Sequence, residues 1–286
     1  MPVLTDVLDR YGVQYRRFGE NSHVSEGWVG ICCTQCGDRN YKLGINLSTL
    51  KTSCWQCGGM STAWVLHLLT GERTEAIKEE LRLVDRVKTP ARQGGKLVMP
   101  EGVGPLNNLH RNYLQGRGLD PYRIERLWKV QGTTQAGDPA WHLIIPVHQN
   151  REVVTWTARA LNDLGRRYFT APDRCSRVPI KDTLYGEDHV SNAVLIVEGP
   201  LDVWAVGPGA VCTYGIAFTH TQVLRLSRYP KRVVCFDSEA DAQRRARALC
   251  AQLACQPGEV VNIQLSAKDA GSANPRELAL LRMELE

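Results

Sequence analysis

Acidic side chains follow two apolar runs in the last third of the sequence. Val194–Val197 leads directly into Glu198, and Val233–Phe236 leads directly into Asp237 and, two residues on, Glu239. Short apolar runs of this kind are typical of buried strands, and ligands of an open parallel sheet bind at the carboxyl ends of its strands. Carboxylates gathered there are costly unless a cation lies between them. The pattern predicts a divalent-metal site.

Two further acidic residues share this placement. Asp202 lies one helical turn beyond the first strand end, and Asp269 lies just beyond a later apolar run. Asp237 and Glu239, at positions i and i+2, point the same way in an extended chain and can share one ion. Oxygen ligands favour a hard cation, Mg²⁺ or Mn²⁺. A helix N-terminus explains a single acid such as Asp202 or Asp241, but not one at every strand end.

Strand and helix patterns alternate from residue 194 onwards. Thr219 and Gln222 form a capping-box pair at the start of one helix, and Asn274-Pro275 begins the last one. Alternation of this kind indicates a parallel α/β sheet.

Five of the ten cysteines lie between Cys32 and Cys57. Cys33-x-x-Cys36 and Cys54-x-x-Cys57 are separated by 17 residues, and each pair can place two thiolates on one tetrahedral zinc ion. Cys32 competes with Cys33, but only Cys33 leaves the two-residue gap. The hairpin between the pairs buries too little apolar surface to fold alone, so we expect one structural zinc ion.

The zinc ribbon is predicted either to stabilise the fold alone or to contact nucleic acid. Six residues of its hairpin suit phosphates and bases: Arg39, Asn40, Tyr41, Lys42, Lys51 and Trp55. Two helices, 62–69 and 72–84, are expected to close this module. Their predicted core residues are Trp64, Leu68, Ile77 and Leu81.

Composition predicts an ordinary soluble protein of two or three domains, since 43% of its 286 residues are apolar. No stretch approaches the roughly 18 apolar residues of a membrane helix, and the amino terminus lacks the plan of a signal peptide. We therefore expect a cytoplasmic location and no membrane contact. The net charge of +5 is uneven, because Arg111 to Lys181 holds twelve basic and six acidic residues. A polyanion partner or a solvated charged face explains this excess.

The middle of the chain is predicted to begin with a linker, 86–105, rich in Lys, Arg, Pro and Gly. A β-hairpin, 143–147 with 152–156, follows and leads to Arg159, Arg167 and Tyr168, and later to Lys181. Guanidinium groups beside an aromatic ring suit a nucleic-acid backbone with stacked bases or a nucleoside triphosphate. Solvated arginines beside a core aromatic residue are the alternative.

The ordered set of motifs resembles the DnaG-type primases, especially the primase half of phage primase-helicase proteins. The resemblance covers nearly the whole chain. It is carried by Cys-x-x-Cys…Cys-x-x-Cys-Gly at 33–58, Arg159…Arg167-Tyr168…Lys181…Leu184-Tyr185-Gly186, Glu198-Gly-Pro-Leu-Asp202, Tyr214-Gly215, Phe236-Asp-Ser-Glu239 and Lys268-Asp269. Each motif is weak alone, and their order is specific.

The resemblance implies four segments: a zinc-ribbon nucleic-acid-binding domain (1–85), the linker (86–105), a basic α+β subdomain (106–190) and a Toprim parallel α/β catalytic subdomain (191–286). It implies synthesis of short RNA primers on a single-stranded DNA template from ribonucleoside triphosphates. A separate replicative helicase and DNA polymerase would be its partners, in the host cytoplasm if the protein is phage-encoded.

The resemblance also implies roles for particular residues. The catalytic set would be Glu198, Asp202, Asp237, Glu239 and Asp269. Glu198, Asp237 and Glu239 would ligate Mg²⁺ or Mn²⁺, whereas Arg159, Arg167, Tyr168 and Lys181 would bind nucleotide or template. The zinc ligands would be Cys33, Cys36, Cys54 and Cys57.

The chain departs from the family pattern at one place. The family has Asp-x-Asp followed by Ala-Gly, whereas this chain has Glu239 at the second acidic position and Asp241-Ala242 after it. Either Glu239 or Asp241 would complete the metal site. A Toprim-type DNA nuclease and a non-catalytic zinc-ribbon binding protein are the alternative functions.

Overall fold

The computed structural model describes residues 3–84, 95–162 and 167–286, and the chain divides into two compact units, Met1–Ala91 and Arg92–Glu286. The elements of the first unit are α1 (Leu4–Arg10), β1 (Tyr15–Arg17), β2 (Trp28–Cys33), β3 (Asp38–Asn46), β4 (Thr52–Cys54), β5 (Gly58–Met60), α2 (Thr62–Thr70) and α3 (Thr74–Leu83).

The first unit is an antiparallel sheet in the order β1-β2-β3-β4-β5, covered on one face by helices. Strand alternation decides which face is covered: Leu43 and Ile45 of β3 are fully buried, and Leu43 lies opposite Cys54 of β4. The core also takes Leu4 and Leu8 of α1. The predicted hairpin between the cysteine pairs is therefore confirmed.

Two residues of α2 that were predicted to lie in the core of this unit are exposed. Trp64 is 50% exposed and Leu68 is 46% exposed, whereas Val65 and Leu66 are fully buried. The prediction for Ile77 of α3 is correct. The side chains of α2 are apolar on nearly every side of the helix. Its sequence therefore does not indicate which side is buried, and this is why Trp64 and Leu68 were placed wrongly.

The second unit combines an antiparallel sheet, a parallel sheet and surrounding helices. Its first part contains β6 (Glu101–Gly104), α4 (Asn108–Gly116), α5 (Pro121–Trp128), β7 (Gln131–Asp138), β8 (His142–Gln149), β9 (Glu152–Ala160) and β10 (Tyr168–Thr170). Its second part contains β11 (Ala193–Val197), α6 (Pro200–Val206), β12 (Ala210–Cys212), α7 (His220–Leu226), β13 (Lys231–Val234), α8 (Ala240–Leu253), β14 (Glu259–Asn262) and α9 (Pro275–Met283).

The described part of the predicted linker, residues 95–105, includes a strand. Residues 86–94 lie outside the described residues, but β6 is the edge strand of the antiparallel sheet, whose order is β10-β9-β8-β7-β6. Val98 bonds to the backbone of Cys175, and its carbonyl accepts a hydrogen bond from the Trp156 indole at 2.8 Å. Leu97 and Met99 pack against the apolar cluster that contains Trp156. Residues 101–104 of the predicted linker therefore form a strand, which the sequence did not indicate because short alternating apolar residues among Lys, Gly and Pro give little strand signal.

The predicted β-hairpin is confirmed and longer than expected. Strands β8 and β9 pair from His142 with Ala160 to Gln149 with Glu152. The turn places Asn150 and Arg151 at positive φ, as a type I′ hairpin turn requires. The Asp188 carboxylate accepts both their backbone N–H groups, at 2.9 and 2.6 Å. These bonds offset the strain of a left-handed arginine.

The parallel sheet has the order β12-β11-β13-β14, which confirms the predicted α/β architecture. From β11 the chain first crosses to β12 on one side and later to β13 on the other, so the strand order reverses between β11 and β13. Loops that leave such a switch point diverge and open a crevice at the carboxyl ends of the strands. Glu198 follows β11 and Asp237 follows β13.

One core joins both parts of the second unit. A single buried cluster includes Leu114 of α4, Leu143 of β8, Leu195 of β11 and Leu281 of α9. The basic and parallel α/β segments are thus packed together as one body, which fixes the antiparallel sheet against the crevice. In the described ranges, none of the helices has the length and apolar character needed to cross a membrane.

Candidate functional site

The four predicted cysteine ligands converge in the first unit and form a zinc-binding site. Their sulfur atoms lie within 4.8 Å of one another, with 3.8 Å from Cys33 Sγ to Cys57 Sγ and from Cys36 Sγ to Cys54 Sγ. A tetrahedral ion with Zn–S bonds of about 2.3 Å requires sulfur separations of about 3.8 Å. The chemistry and the spacing of the donors both fit zinc.

Glu198 and Asp237 meet at the switch point of the parallel sheet. The backbone N–H of Asp237 donates to Glu198 Oε1 at 3.0 Å. Behind them Gln243 of α8 donates to the carbonyls of Phe236 and Asp237, at 3.1 and 3.0 Å, and so fixes the turn that follows β13. The Glu198 carboxylate thus accepts a backbone N–H, and Gln243 fixes the backbone that carries Asp237.

Asp202 joins the start of α6 to the turn after Asp269. Its two carboxylate oxygens accept N–H bonds from Gly199 at 3.1 Å and from Gly271 at 3.0 Å. Asp269 in turn accepts from the N–H of Ser272 at 2.7 Å. A Cβ added to Gly271 would lie 3.2 Å from Asp202 and 3.4 Å from Asp269, so the two carboxylates lie on either side of this glycine. Asp202 therefore links the start of α6 to the loop that contains Gly271.

Three of these carboxyls have strongly raised pKa values. Burial, followed by repulsion from Asp237, raises the pKa of Glu198 to about 7. Burial, then Asp237 and Asp269, raises the pKa of Asp202 to about 7, and burial with Asp269 raises that of Asp237 to about 6. Negative charge is thus concentrated where it is poorly solvated, which is the electrostatic condition for binding a cation.

This electrostatic arrangement predicts how stability depends on pH. Since the folded pKa values of Asp202 and Asp237 exceed the ordinary value of 3.8, the folded state holds more protons than the unfolded state between about pH 4 and 7. Without divalent cations, the contribution of these groups to the free energy of unfolding should fall as pH rises through that range. Thermal unfolding with EDTA and with Mg²⁺ tests this: we expect Mg²⁺ to raise the melting temperature more at pH 8 than at pH 5.5. An equal effect at both values would contradict it.

Glu239 and Asp241 lie near this group but are oriented differently. The side chain of Glu239 is 66% exposed and pairs with Lys268 at 3.3 Å, and that of Asp241 is 72% exposed and pairs with Arg244 at 3.1 Å. Across the described parts of the chain, the four cysteines are the only group of three or more potential ligands whose atoms all lie within 4.8 Å. Glu239 would have to leave Lys268 to join Glu198 and Asp237.

Two adjoining clefts open beside the carboxylates. The first, called here the acid cleft, encloses about 340 Å³ and is lined by Thr157, Tyr168, Thr170, Glu198, Gly199, Pro200, Asp202, Tyr214, Gly215 and Asp237. The second, called the arginine cleft, encloses about 400 Å³ and is lined by Gly116, Arg117, Leu119, Arg159, Arg167, Tyr168, Leu201, Asp202, Ala205, Asp269, Gly271 and Ser272. Both are lined by Tyr168 and Asp202. The antiparallel sheet therefore supplies cationic and aromatic groups to the edge that carries the acids.

The predicted basic residues Arg159 and Arg167 both line the arginine cleft. Arg159 is almost buried, donates to the Tyr113 hydroxyl at 2.9 Å and lies 5.0 Å over the ring of Tyr168. Arg117, which was not predicted, lines the same cleft and stacks over Tyr113. Its signal in the sequence is the Gly-Arg-Gly turn after α4, which places a cation at a helix end.

Lys181 contacts backbone carbonyls of a neighbouring loop, and its predicted contact with nucleotide or template stays a prediction. Its ammonium donates to the carbonyls of Thr213, Tyr214 and Ala217, at 2.9, 3.0 and 2.8 Å. These bonds join Lys181 to the loop between β12 and α7.

Comparison with solved structures identifies the fold. The Aquifex aeolicus primase, in a structure of its zinc-binding and RNA polymerase domains, aligns with 99% of this chain and 83% of its own, at 16% identity and a TM-score of 0.53. The catalytic core of the Escherichia coli primase aligns with 62% of this chain and 72% of its own, at 19% identity and a TM-score of 0.52. A DnaG primase catalytic domain bound to single-stranded DNA gives the same values as the Escherichia coli core.

Sequence comparison gives no such match: no family model and no curated protein is significantly similar to the chain. The structural alignment with the Aquifex primase nevertheless extends over both units, the zinc-binding one and the one that carries the acid and arginine clefts. The chain has the fold of the DnaG-type primases.

Proposed function

We propose that this chain is a primase, a nucleotidyltransferase that joins ribonucleoside triphosphates into short RNA primers on single-stranded DNA. The observation that carries the proposal is the meeting of Glu198, Asp202 and Asp237 at the switch point of the parallel sheet, beside a cleft lined with arginines, in a primase fold. Anionic substrates and a divalent cation are what such a pair of clefts is suited to bind.

Glu198 and Asp237 would hold Mg²⁺ or Mn²⁺, with Glu239 as a further ligand once it leaves Lys268. A bound ion would neutralise the charge that develops on the phosphoryl oxygens and favour ionisation of the attacking hydroxyl. Without a cation the pKa of Glu198 is about 7, and a bound cation would lower it and keep the carboxylate ionised as a ligand. Asp202 would fix the loop at Gly199 relative to the loop at Gly271, since it accepts a backbone hydrogen bond from each.

Arg117, Arg159 and Arg167 would bind the triphosphate or the template backbone, because guanidinium groups match phosphate geometry and keep their charge. Tyr168 would contact both substrates, since it lines both clefts. The Tyr168 pKa is raised by burial, so its hydroxyl stays neutral.

The zinc-binding unit would contact the template. Trp55 is 68% exposed, and Arg39 and Lys51 are exposed on the same zinc hairpin. Exposed aromatic and basic side chains bind single strands by stacking and by phosphate contact. Primers would pass to a separate replicative helicase and polymerase complex.

A primer-synthesis assay tests the proposed function. Single-stranded DNA of mixed sequence is incubated with labelled ribonucleoside triphosphates and Mg²⁺ or Mn²⁺, and products are resolved by length. We expect short RNA products that require template and divalent cation. Nicked DNA in place of RNA would indicate a nuclease, and binding without either product would indicate a non-catalytic protein.

Arginine substitutions in the arginine cleft should weaken substrate binding without unfolding the chain. For Arg117→Met and Arg167→Met we expect the KM for nucleotide or the Kd for template to rise about tenfold, since one lost charge-assisted bond costs roughly 1.5–3 kcal/mol. Fluorescence anisotropy of labelled DNA over a salt series measures the Kd for the template. Binding unchanged in both variants would show that this cleft does not hold the substrate.

A further inference from the structure

The loop between β12 and α7, residues 213–219, forms part of the wall of the acid cleft and touches the candidate catalytic glutamate. Tyr214 and Gly215 line this cleft. The backbone N–H of Gly215 donates to the carbonyl of Glu198 at 2.8 Å. The placement of Glu198 therefore depends on where this loop lies.

The loop has a conformation that its own sequence does not favour. Tyr214 and Gly215 are both left-handed, with φ of 58° and 97°. Gly215 adopts such angles freely, but a tyrosine there is strained by contact between its Cβ and the backbone. An external contact must offset that strain.

Lys181 makes this contact. Its ammonium donates to the carbonyl of left-handed Tyr214 and to those of Thr213 and Ala217, which lie before and after the two left-handed residues. The backbone of Lys181 is held in turn, because its carbonyl accepts the Thr219 hydroxyl at 2.8 Å. The single positive charge of Lys181 thus stabilises three carbonyl groups whose dipoles would otherwise repel one another.

The geometry points to Lys181 as a positioning residue, which fixes the 213–217 loop and through Gly215 the backbone of Glu198, rather than as a residue that contacts nucleotide or template. This deepens the proposed function and rests on it for the kinetic readout. The two roles differ in when they act: a positioning lysine orders the loop before any substrate binds, whereas a contact lysine acts only in the complex.

The test is a comparison of Lys181→Met with Arg167→Met, whose side chain lines the arginine cleft. For Lys181→Met we expect kcat at saturating nucleotide to fall about tenfold or more while the KM for nucleotide changes little, the pattern of a lost interaction in the transition state. We also expect the Gly215 amide to exchange hydrogen faster in the nucleotide-free protein. For Arg167→Met we expect a raised KM and unchanged exchange in this loop.

A raised KM for Lys181→Met, with unchanged kcat and unchanged exchange in the loop, would overturn the inference. If Lys181→Met does not fold, Lys181→Arg takes its place: it keeps a cation but not the compact ammonium, and faster exchange at Gly215 with reduced kcat supports the inference, whereas wild-type exchange overturns it. If the wild-type chain makes no primers, the proposed function fails. Exchange in the nucleotide-free variants then still decides the role of Lys181.

Discussion

Asp237→Asn is expected to abolish primer synthesis, with a loss of at least about a thousandfold, or about 4 kcal/mol of transition-state stabilisation. The carboxylate lies at the switch point of the sheet beside Glu198, and an amide there cannot replace a charged ligand of Mg²⁺ or Mn²⁺. The measurement is the initial rate of RNA formation on single-stranded DNA, with the cation concentration varied to saturation.

The same substitution should make the fold more stable in the absence of cation. Asp237 is ionised at pH 8 although its surroundings raise its pKa to about 6, so an uncharged side chain removes repulsion at the sheet edge. Because the group is only half buried, solvent screening reduces the gain to about 1 kcal/mol. The gain should shrink as pH falls towards 5, since the wild-type carboxyl then takes up a proton. A higher melting temperature together with lost activity would separate a functional role from a structural one.

Asp241→Asn is the matched control. Asp241 lies in the same segment, but its side chain is exposed and pairs with Arg244 of α8. Activity within about twofold of wild type is expected, as for surface positions away from a site. Primer synthesis that survives Asp237→Asn and fails in Asp241→Asn would contradict the metal assignment and place the ion at Asp241.

Cys54→Ser is expected to remove the zinc and unfold the first unit. Four thiolates hold the ion, and structural zinc contributes about 10–16 kcal/mol to the folding of small zinc domains. Zinc content measured by atomic spectroscopy should fall from about one per chain to near zero, because structural zinc sites use all four ligands. Calorimetry should lose the unfolding transition of this unit and keep that of the second, whose core is separate. Template-dependent synthesis should be lost with it.

Cys32→Ser provides the control for this experiment. Cys32 is the neighbour of a ligand, but it is not among the four cysteines whose sulfur atoms converge. Zinc content and both unfolding transitions should match the wild type. Zinc retained by Cys54→Ser and lost from Cys32→Ser would mean that the ligand set is wrong.

The raised pKa values link the site to the stability of the whole fold. Glu198, Asp202 and Asp237 are placed by backbone hydrogen bonds and by packing, and burial opposes their ionised forms. A site of this kind lowers the free energy of unfolding of the cation-free protein. Packing of the apolar core must offset this cost. Divalent cation should then stabilise the fold by an amount that grows with the logarithm of its concentration over its Kd.

Several features could be read from the sequence because they depend on local chemistry. Two Cys-x-x-Cys pairs fix four ligands, since each tight turn brings two sulfurs to one ion. Alternating strands and helices after residue 193 give the parallel sheet, and acids at the strand ends then fall at one edge. Capping pairs such as Thr219 with Gln222 also form as the sequence predicts.

Other features were decided by tertiary packing. Trp64 and Leu68 face solvent because an all-apolar helix does not specify its buried side, and residues 101–104 form a strand because the rest of a sheet was available to pair with them. The carbonyls that accept hydrogen bonds from the Lys181 ammonium lie 32 to 36 residues further along the chain, a contact that local sequence does not predict.

The sequence by itself determined which residue types are present and in what order: a thiolate set for zinc, acids at strand ends for a hard cation, and arginines beside an aromatic residue. Only the tertiary structure decided which of them meet. Glu198 and Asp237 come together because β11 and β13 are adjacent parallel strands, and Glu239 pairs with Lys268. Proximity across the chain is set by packing and sheet topology, which spacing along the sequence does not encode.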